Sequence, residues 1–494
     1  MRLDEHAAGI GTWLRAGAVA GLAGGLVFGA AMIELGVLPT VASIVRADSA
    51  VVGFVVHMAI AAVVGAGFGV LVRRQRLGAG EMLFWGLTYG TLWWFLGALT
   101  LLPLLLGEGL AWDVPSAQAA LPSFFGHLLY GATAALVLVW LGRERVTRPS
   151  LGALLRGATA GLCAAWVVGL LLDAQDRLAL FTDADITSGA GLWAATLGAG
   201  VVAGAGYALL YPIPAATAGP RLVRGTVFGF LWWVAVTRTL LPVLDGDGLP
   251  WSVEAARSDF AALIGSMLFG AALAVIYGWL DGLGRLLFAE ESDDPEEEGA
   301  GTQGLRAIGR GAAAGIVGGL LFTLVMVQVG FLPTVASLIG AGSEAAGFLV
   351  HLVISFLIGA AYGLLFRRQS LDTGSALGWG VSYGFVWWLL GPLTLLPLLL
   401  GEPPEWTAAV AASLFASLIG HLTYGAGLGL TFYWLESRYS PWWIPRTRMD
   451  EMRIERRREQ LRTSAPALWA LVVVIALTLP VVLGMPGAGA AGVR

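Results

Sequence analysis

The sequence predicts an all-α polytopic membrane protein, and three observations support that prediction. Hydrophobic residues make up 57% of the 494 residues and charged residues only 13%, whereas a soluble domain carries about 25% charged residues. Many uncharged runs are long enough to cross a bilayer, which takes about 20 residues in a helix. Long segments also recur at fixed offsets. We therefore expect about 13 transmembrane helices, arranged as three tandem four-helix repeat units followed by one C-terminal helix.

The recurrence is clearest between the two ends of the chain. Residues 16–141 align with residues 310–435 without a gap, at an offset of 294 residues. A weaker copy lies between them, at an offset of about 139 from the first. It keeps the paired tryptophans and the Thr-Leu-Leu-Pro turn. Landmarks of the repeat are Pro39–Ser43 and Pro333–Ser337; Trp93-Trp94, Trp232-Trp233 and Trp387-Trp388; and Thr100–Pro103, Thr239–Pro242 and Thr394–Pro397.

These repeats set the predicted domain boundaries. Residues 290–298 are rich in glutamate and aspartate, and such a like-charge block is typical of a disordered connector. Residues 437–464 are rich in arginine and predict an amphipathic helix on the bilayer surface. The predicted segments are repeat unit 1 (13–145), a degenerate repeat unit 2 (150–285), the acidic linker (286–305), repeat unit 3 (306–436), the basic cytoplasmic amphipathic segment (437–464) and the C-terminal transmembrane helix (466–486).

Arginine predicts the orientation of the chain. Every basic residue is arginine, and most of them fall on one side of the predicted spans. The positive-inside rule places that side, and the N-terminus with it, in the cytoplasm. About 13 spans then place the C-terminus on the non-cytoplasmic side. The predicted location is the inner (plasma) membrane, with the lipid bilayer as the main partner. We expect no nucleic-acid partner, because the basic segment fits anionic lipid.

Four of the five histidines lie in duplicated apolar helices. These residues are His57, His127, His351 and His421. The two histidines of each outer unit are predicted at a similar depth, near the non-cytoplasmic face, on two parallel helices. The middle copy has Thr196 and Ser266 at the matching positions. Four-helix bundles build cofactor sites from such facing side chains.

The histidine pairs predict a cofactor site in each outer unit, and the specific hypothesis is heme b. His57 and His127 would ligate one heme iron, and His351 and His421 a second. Electron transfer, with a quinone as partner, is the function that follows. Alternatives are hydrogen bonding that only holds helices together, a proton or ion path in a transporter or channel, and one metal site shared by all four histidines. A non-catalytic subunit of a larger membrane complex is also open.

Short motifs carry a resemblance to known proteins. Residues 53–58 read Gly-Phe-Val-Val-His-Met, and residues 126–131 read Gly-His-Leu-Leu-Tyr-Gly. One histidine in an apolar helix and a later Gly-His-Leu helix resemble uncharacterised four-span bacterial inner-membrane proteins, one repeat unit at a time. That resemblance implies no activity. In design alone, the paired histidines resemble the bis-histidine membrane cytochromes of the b type, which implies heme between two helices.

The sequence offers little support for an enzyme. It contains no lysine, and a phosphate-binding loop of the Gly-x-x-x-x-Gly-Lys type needs one. No hydrolase motif and no nucleotide-binding motif is present. We therefore favour a chain that is not an enzyme by itself.

Overall fold

A computed structural model describes residues 9–75, 77–142, 149–181, 188–215, 217–288, 300–367, 369–438 and 465–484. These residues form helices joined by short loops, with no strand among them. The basic segment predicted at 437–464 lies almost entirely outside the described residues, as does the acidic core of the predicted linker.

The helices fall into three similar series and a last helix. The first series is α1 (Ile10–Glu34), α2 (Leu38–Ala42), α3 (Ala50–Val72), α4 (Ala79–Trp93), α5 (Leu102–Leu105), α6 (Val114–Ala119) and α7 (Leu121–Leu141). The second is α8 (Leu151–Asp173), α9 (Gly189–Leu210), α10 (Ala218–Trp232), α11 (Leu241–Asp245), α12 (Val253–Ser258) and α13 (Phe260–Phe288). The third is α14 (Ala300–Val329), α15 (Leu332–Ala336), α16 (Glu344–Phe366), α17 (Thr373–Leu390), α18 (Leu396–Leu399), α19 (Ala408–Ser413) and α20 (Phe415–Ser437), and α21 (Ala465–Leu483) follows. Short 3-10 turns lie at Ser43–Val45, Leu178–Phe181 and Ser337–Ile339.

Eleven helices in the described part of the chain are long and apolar enough to cross a membrane. This confirms a multi-pass helical membrane protein but is fewer than the 13 spans predicted. The two helices that do not qualify are α20 and α21. α20 is long, but its polar residues include His421, Thr423 and Glu436, whereas the described apolar part of α21 is only Ala470–Leu483.

The helices of each series pack in the same order. The first helix contacts the second and the fourth, and the fourth contacts the third: α1 packs on α3 and α7, and α4 packs on α7. α14, α16, α20 and α17 follow this order in the third series, and α8, α9, α13 and α10 in the second. The four long helices of a series therefore pack side by side in the order second, first, fourth and third.

The chain divides into two compact units. One contains residues 1–148, 234–259 and 461–494, and the other contains residues 149–233 and 260–460. In the first unit, α21 packs on α4, α6 and α12. Side chains from that unit bind the last carbonyl groups of α21, because Gln118 donates to Val481 and Arg257 donates to Val482.

Glycines set the distance between neighbouring helices. On α1 and α3, a Cβ atom at Gly21 would overlap the backbone of Ala61 and Gly65. The same overlap would arise on α8 and α9, where Gly161 meets Gly200 and Gly204. Small residues at such crossings let helices approach closely enough for extensive van der Waals contact, which is the main source of helix association in lipid.

A π-helical segment ends the third long helix of every series. These segments are Trp94–Leu101, Trp233–Leu240 and Gly391–Leu395. Each is marked by a threonine hydroxyl that donates to the carbonyl group five residues earlier, as Thr100 does to Phe95 and Thr394 does to Leu389. A π turn widens the helix and changes which side chains face inward, and such turns are frequent at functional sites.

Two boundaries in the structure lie near those of the predicted segments. The predicted linker, residues 286–305, includes the end of α13 at Phe288 and the start of α14 at Ala300. Residues 234–259, assigned to the second repeat unit from sequence, belong to the same compact unit as the first repeat. Their side chains contact it directly, since the Trp251 ring lies 5.7 Å from the ring of Phe125.

Candidate functional site

His57 is buried between α3 and α1. Its Nε2 atom lies 2.9 Å from the carbonyl oxygen of Gly25. Because a carbonyl oxygen only accepts, Nε2 carries the proton and donates it. The side chain is only 8% exposed, so this hydrogen bond satisfies a polar group that would be costly to leave unpaired in an apolar bundle.

His127 lies on α7 and has the opposite tautomer. Its Nδ1 atom is 2.7 Å from the carbonyl oxygen of Ser123, one turn earlier in the same helix. Nδ1 therefore donates, and Nε2 is left as an acceptor. Nε2 points toward the π segment at the end of α4, since a Cβ atom on Gly97 would lie 3.7 Å from it.

A phenylalanine joins the two histidines. The ring of Phe28, on α1, has its centroid 5.3 Å from the ring of His57 and 4.9 Å from the ring of His127. Both contacts are edge-to-face. Both imidazoles of the predicted pair therefore contact the same phenylalanine ring.

The third series contains the same arrangement. His351 Nε2 lies 3.1 Å from the carbonyl oxygen of Gly319, and His421 Nδ1 lies 2.8 Å from that of Ser417. Phe322 contacts both imidazoles, with centroid distances of 5.1 and 4.7 Å. A Cβ atom on Gly391 would lie 3.7 Å from His421 Nε2.

The middle series lacks the two histidines, the phenylalanine that contacts them and the glycine that faces the second histidine. Thr196 and Ser266 stand at the histidine positions, and Val168 stands where the outer series have phenylalanine. Val236 replaces the glycine that faces the second histidine. The helix order and the π segment persist in this series. The histidines, the phenylalanine and the glycine thus belong together and are not required by the helix packing.

A cavity of about 220 Å³ adjoins the histidines of the third series. Most of its wall is apolar, and His421 retains some accessible surface toward it. The wall comes from α14, α15, α16, α17, α18, α20 and the π segment that follows α17. Its lining residues include Phe322, Met326, Ile354, Trp387, Gly391 and Leu395.

The cavity lies where α16 and the end of α17 separate. Next to the cavity these helices are joined, because Tyr383 donates to the carbonyl oxygen of Ile358 and its ring packs on Tyr362. At the cavity, Ile354 is half-buried, whereas Leu395 is 39% and Leu399 71% exposed. The rim is therefore open on the lateral, apolar surface of the bundle.

The residues do not fit heme in this arrangement. A bis-histidine heme needs a nitrogen lone pair from each imidazole directed at an iron between them. His57 and His351 instead direct Nε2 at a backbone carbonyl oxygen. The ring of Phe28 or Phe322 packs against both imidazoles of its pair. A flat macrocycle would have to displace that ring.

A shared metal site finds no support either. No cluster of three or more histidine, cysteine, aspartate or glutamate side chains suited to a metal ion occurs within the described ranges.

The structure also contains site residues that the sequence did not reveal. Phe28, Phe322, Gly97 and Gly391 would have been found by asking which residues change together with the histidines in the middle copy.

No family model, curated protein or solved structure matches the chain. Function must therefore be argued from the site alone.

Proposed function

We propose that the protein is an integral membrane protein that binds an amphipathic, lipid-phase small molecule beside His421, in the third four-helix series. The observation behind this proposal is the lateral cavity, whose largely apolar wall includes the imidazoles of His351 and His421. Binding sites for small molecules typically combine an apolar wall with a few placed polar groups. The matching residues Phe28, Gly97 and His127 support a second site of the same kind in the first series.

The proposal includes 13 spans in three tandem repeats followed by α21, with a cytoplasmic N-terminus. α20 supports this count, because it occupies the same place in the packing order as α7, which does qualify as a span. The arginine distribution supports the orientation. Single cysteines placed in the loops test the span count and the orientation. They are labelled in whole cells with a maleimide that does not cross the membrane. Labelling at residue 342 but not at residue 77 is expected, and the reverse would contradict the orientation.

Replacing Gly391 with valine should impair binding. The valine methyl groups would enter the space beside His421 Nε2, and overpacking of this kind costs about 1–3 kcal/mol. We therefore expect roughly tenfold weaker binding. Farnesol with a diazirine in its chain serves as the probe. Photocross-linking to peptides of α16–α18 is measured in the full-length protein in lipid nanodiscs.

The fold is expected to tolerate this change, because the middle copy already has Val236 at the matching position. Gly309→Val is the matched control, since Gly309 faces open space in the same series. Cross-linking that falls equally in both variants would contradict a site at Gly391. An absence of saturable cross-linking in the wild-type protein would contradict the proposed function.

Heme b, predicted from the paired histidines, is a separate hypothesis with electron transfer as the function, and it would require the His57 and His351 imidazoles to turn away from their carbonyl partners. It is tested by a dithionite-reduced minus oxidised difference spectrum of the purified protein. If heme is bound, His57→Ala and His351→Ala should each remove about half of the α-band, since each pair would hold one heme. A flat spectrum from protein expressed with ample heme supply would exclude it.

A further inference from the structure

The chemistry of His421 limits what the cavity can bind. Its Nδ1–H is committed to the carbonyl oxygen of Ser417, 2.8 Å away. The proton of a neutral imidazole is thereby fixed on Nδ1, and Nε2 has only a lone pair. Nε2 is also the atom next to Gly391 and the cavity.

Two of the other polar side chains of the wall donate to backbone carbonyl oxygens. Tyr424 donates to the carbonyl oxygen of Ser355 at 3.0 Å, and His351 donates to that of Gly319. The Ser355 and Ser417 hydroxyls lie 3.5 Å from His351 Nε2 and 3.3 Å from His421 Nδ1. Of the imidazole nitrogens in the wall, His421 Nε2 is the acceptor that lies beside Gly391 and the cavity.

We propose that the ligand is an amphipathic alcohol or phenol, such as an isoprenoid alcohol or a quinol, whose O–H donates to His421 Nε2. This inference rests on the proposed function and narrows its ligand class. The apolar part of the ligand would lie against Phe322, Met326 and the other apolar side chains of the cavity. Binding is non-covalent, and no proton leaves the ligand.

Other lipid classes are disfavoured by the same geometry. A ketone, an ester or an ether has oxygen atoms that only accept, so none of these oxygens can form a hydrogen bond with Nε2. Burying two acceptors against each other forfeits a hydrogen bond and adds a desolvation penalty. A carboxylate would also bring a charge into a cavity whose lining contains no arginine or lysine.

The first series supports the inference independently. His127 Nδ1 is held by Ser123 at 2.7 Å, and Gly97 again faces Nε2. Two copies that share 294-residue spacing thus keep the same tautomer, the same acceptor and the same glycine. The middle copy, which has Ser266 and Val236, should not bind.

The test compares two competitors with one hydrocarbon chain. Unlabelled farnesol and farnesyl methyl ether compete with the diazirine probe for cross-linking to α16–α18 of the full-length protein in nanodiscs. The two molecules differ only in that a methyl group replaces the hydroxyl proton in the ether. We expect farnesol to compete at about tenfold lower concentration, the value of roughly one buried hydrogen bond. In His421→Phe, which keeps a ring but lacks the acceptor, the two should compete equally.

The outcomes separate the two proposals. Equal competition in the wild-type protein, with cross-links still at the cavity, would overturn the alcohol inference and leave the proposed function intact. A preference for farnesol that persists in His421→Phe would show that another group recognises the hydroxyl, and would overturn the role of His421. Cross-links that no competitor reduces would overturn both proposals.

Discussion

Replacing Gly204 with valine is expected to prevent stable folding. Gly204 lies on α9 at the crossing with α8, where a Cβ atom would overlap the backbone of Gly157 and Gly161. A backbone cannot move aside as the end of a flexible side chain can, so the two helices must separate. We expect a loss of more than about 4 kcal/mol, at the far end of the range for single substitutions.

Gly206 provides the matched control for this prediction. It lies on the same helix, and a Cβ atom there meets nothing within 4 Å. Gly206→Val makes the same change in helix propensity without the overlap. Thermal denaturation in detergent, followed by the monodisperse fraction on size-exclusion chromatography, compares the two. Equal loss in both variants would mean that propensity, and not the crossing, decides the outcome.

Replacing Asp259 with alanine is expected to cause the second-largest loss of stability. Asp259 is the counter-ion of Arg238, which also donates to the carbonyl oxygen of Pro250. The Arg238 side chain is only 4% exposed, whereas that of Asp259 is 17% exposed. Removing the carboxylate would leave a buried guanidinium without its counter-ion, which costs about 3–5 kcal/mol.

The first series shows which residues can replace this ion pair. Leu99 and Ala120 stand at the matching positions in the first series, and both copies fold in the same helix order. The double variant Arg238→Leu/Asp259→Ala should therefore recover most of the stability lost in Asp259→Ala. A double-mutant cycle measures this recovery. It compares the melting temperatures of the wild type, both single variants and the double variant. Additive losses would show that the two side chains do not interact energetically.

Span positions were largely predictable because apolar runs mark them directly. The uncharged run from Val51 to Val72 forms α3, Ala50–Val72, and the apolar run that ends at Leu141 forms α7. Helix ends were less predictable. The apolar sequence continues to Leu38, but α1 ends at Glu34 and Leu38 starts the short helix α2. An apolar run does not show where a chain turns within it.

The site was only partly predictable. Histidine is rare and costly in an apolar helix, so His57 and His421 were conspicuous in the sequence. Phe322 was not, because one more phenylalanine in an apolar span breaks no pattern. The tautomers depend on carbonyl groups such as that of Gly319, which lies 32 residues from His351 in the chain. No local pattern reveals such a partner.

The lateral opening beside Leu395 and Leu399 determines how occupancy of the site would be controlled. A ligand that enters there arrives from the hydrocarbon phase, so its mole fraction in the surrounding lipid, and not its aqueous concentration, sets the degree of saturation. Added detergent or excess phospholipid would dilute the ligand and empty the cavity without competing for it. The protein would then respond to the composition of its own membrane.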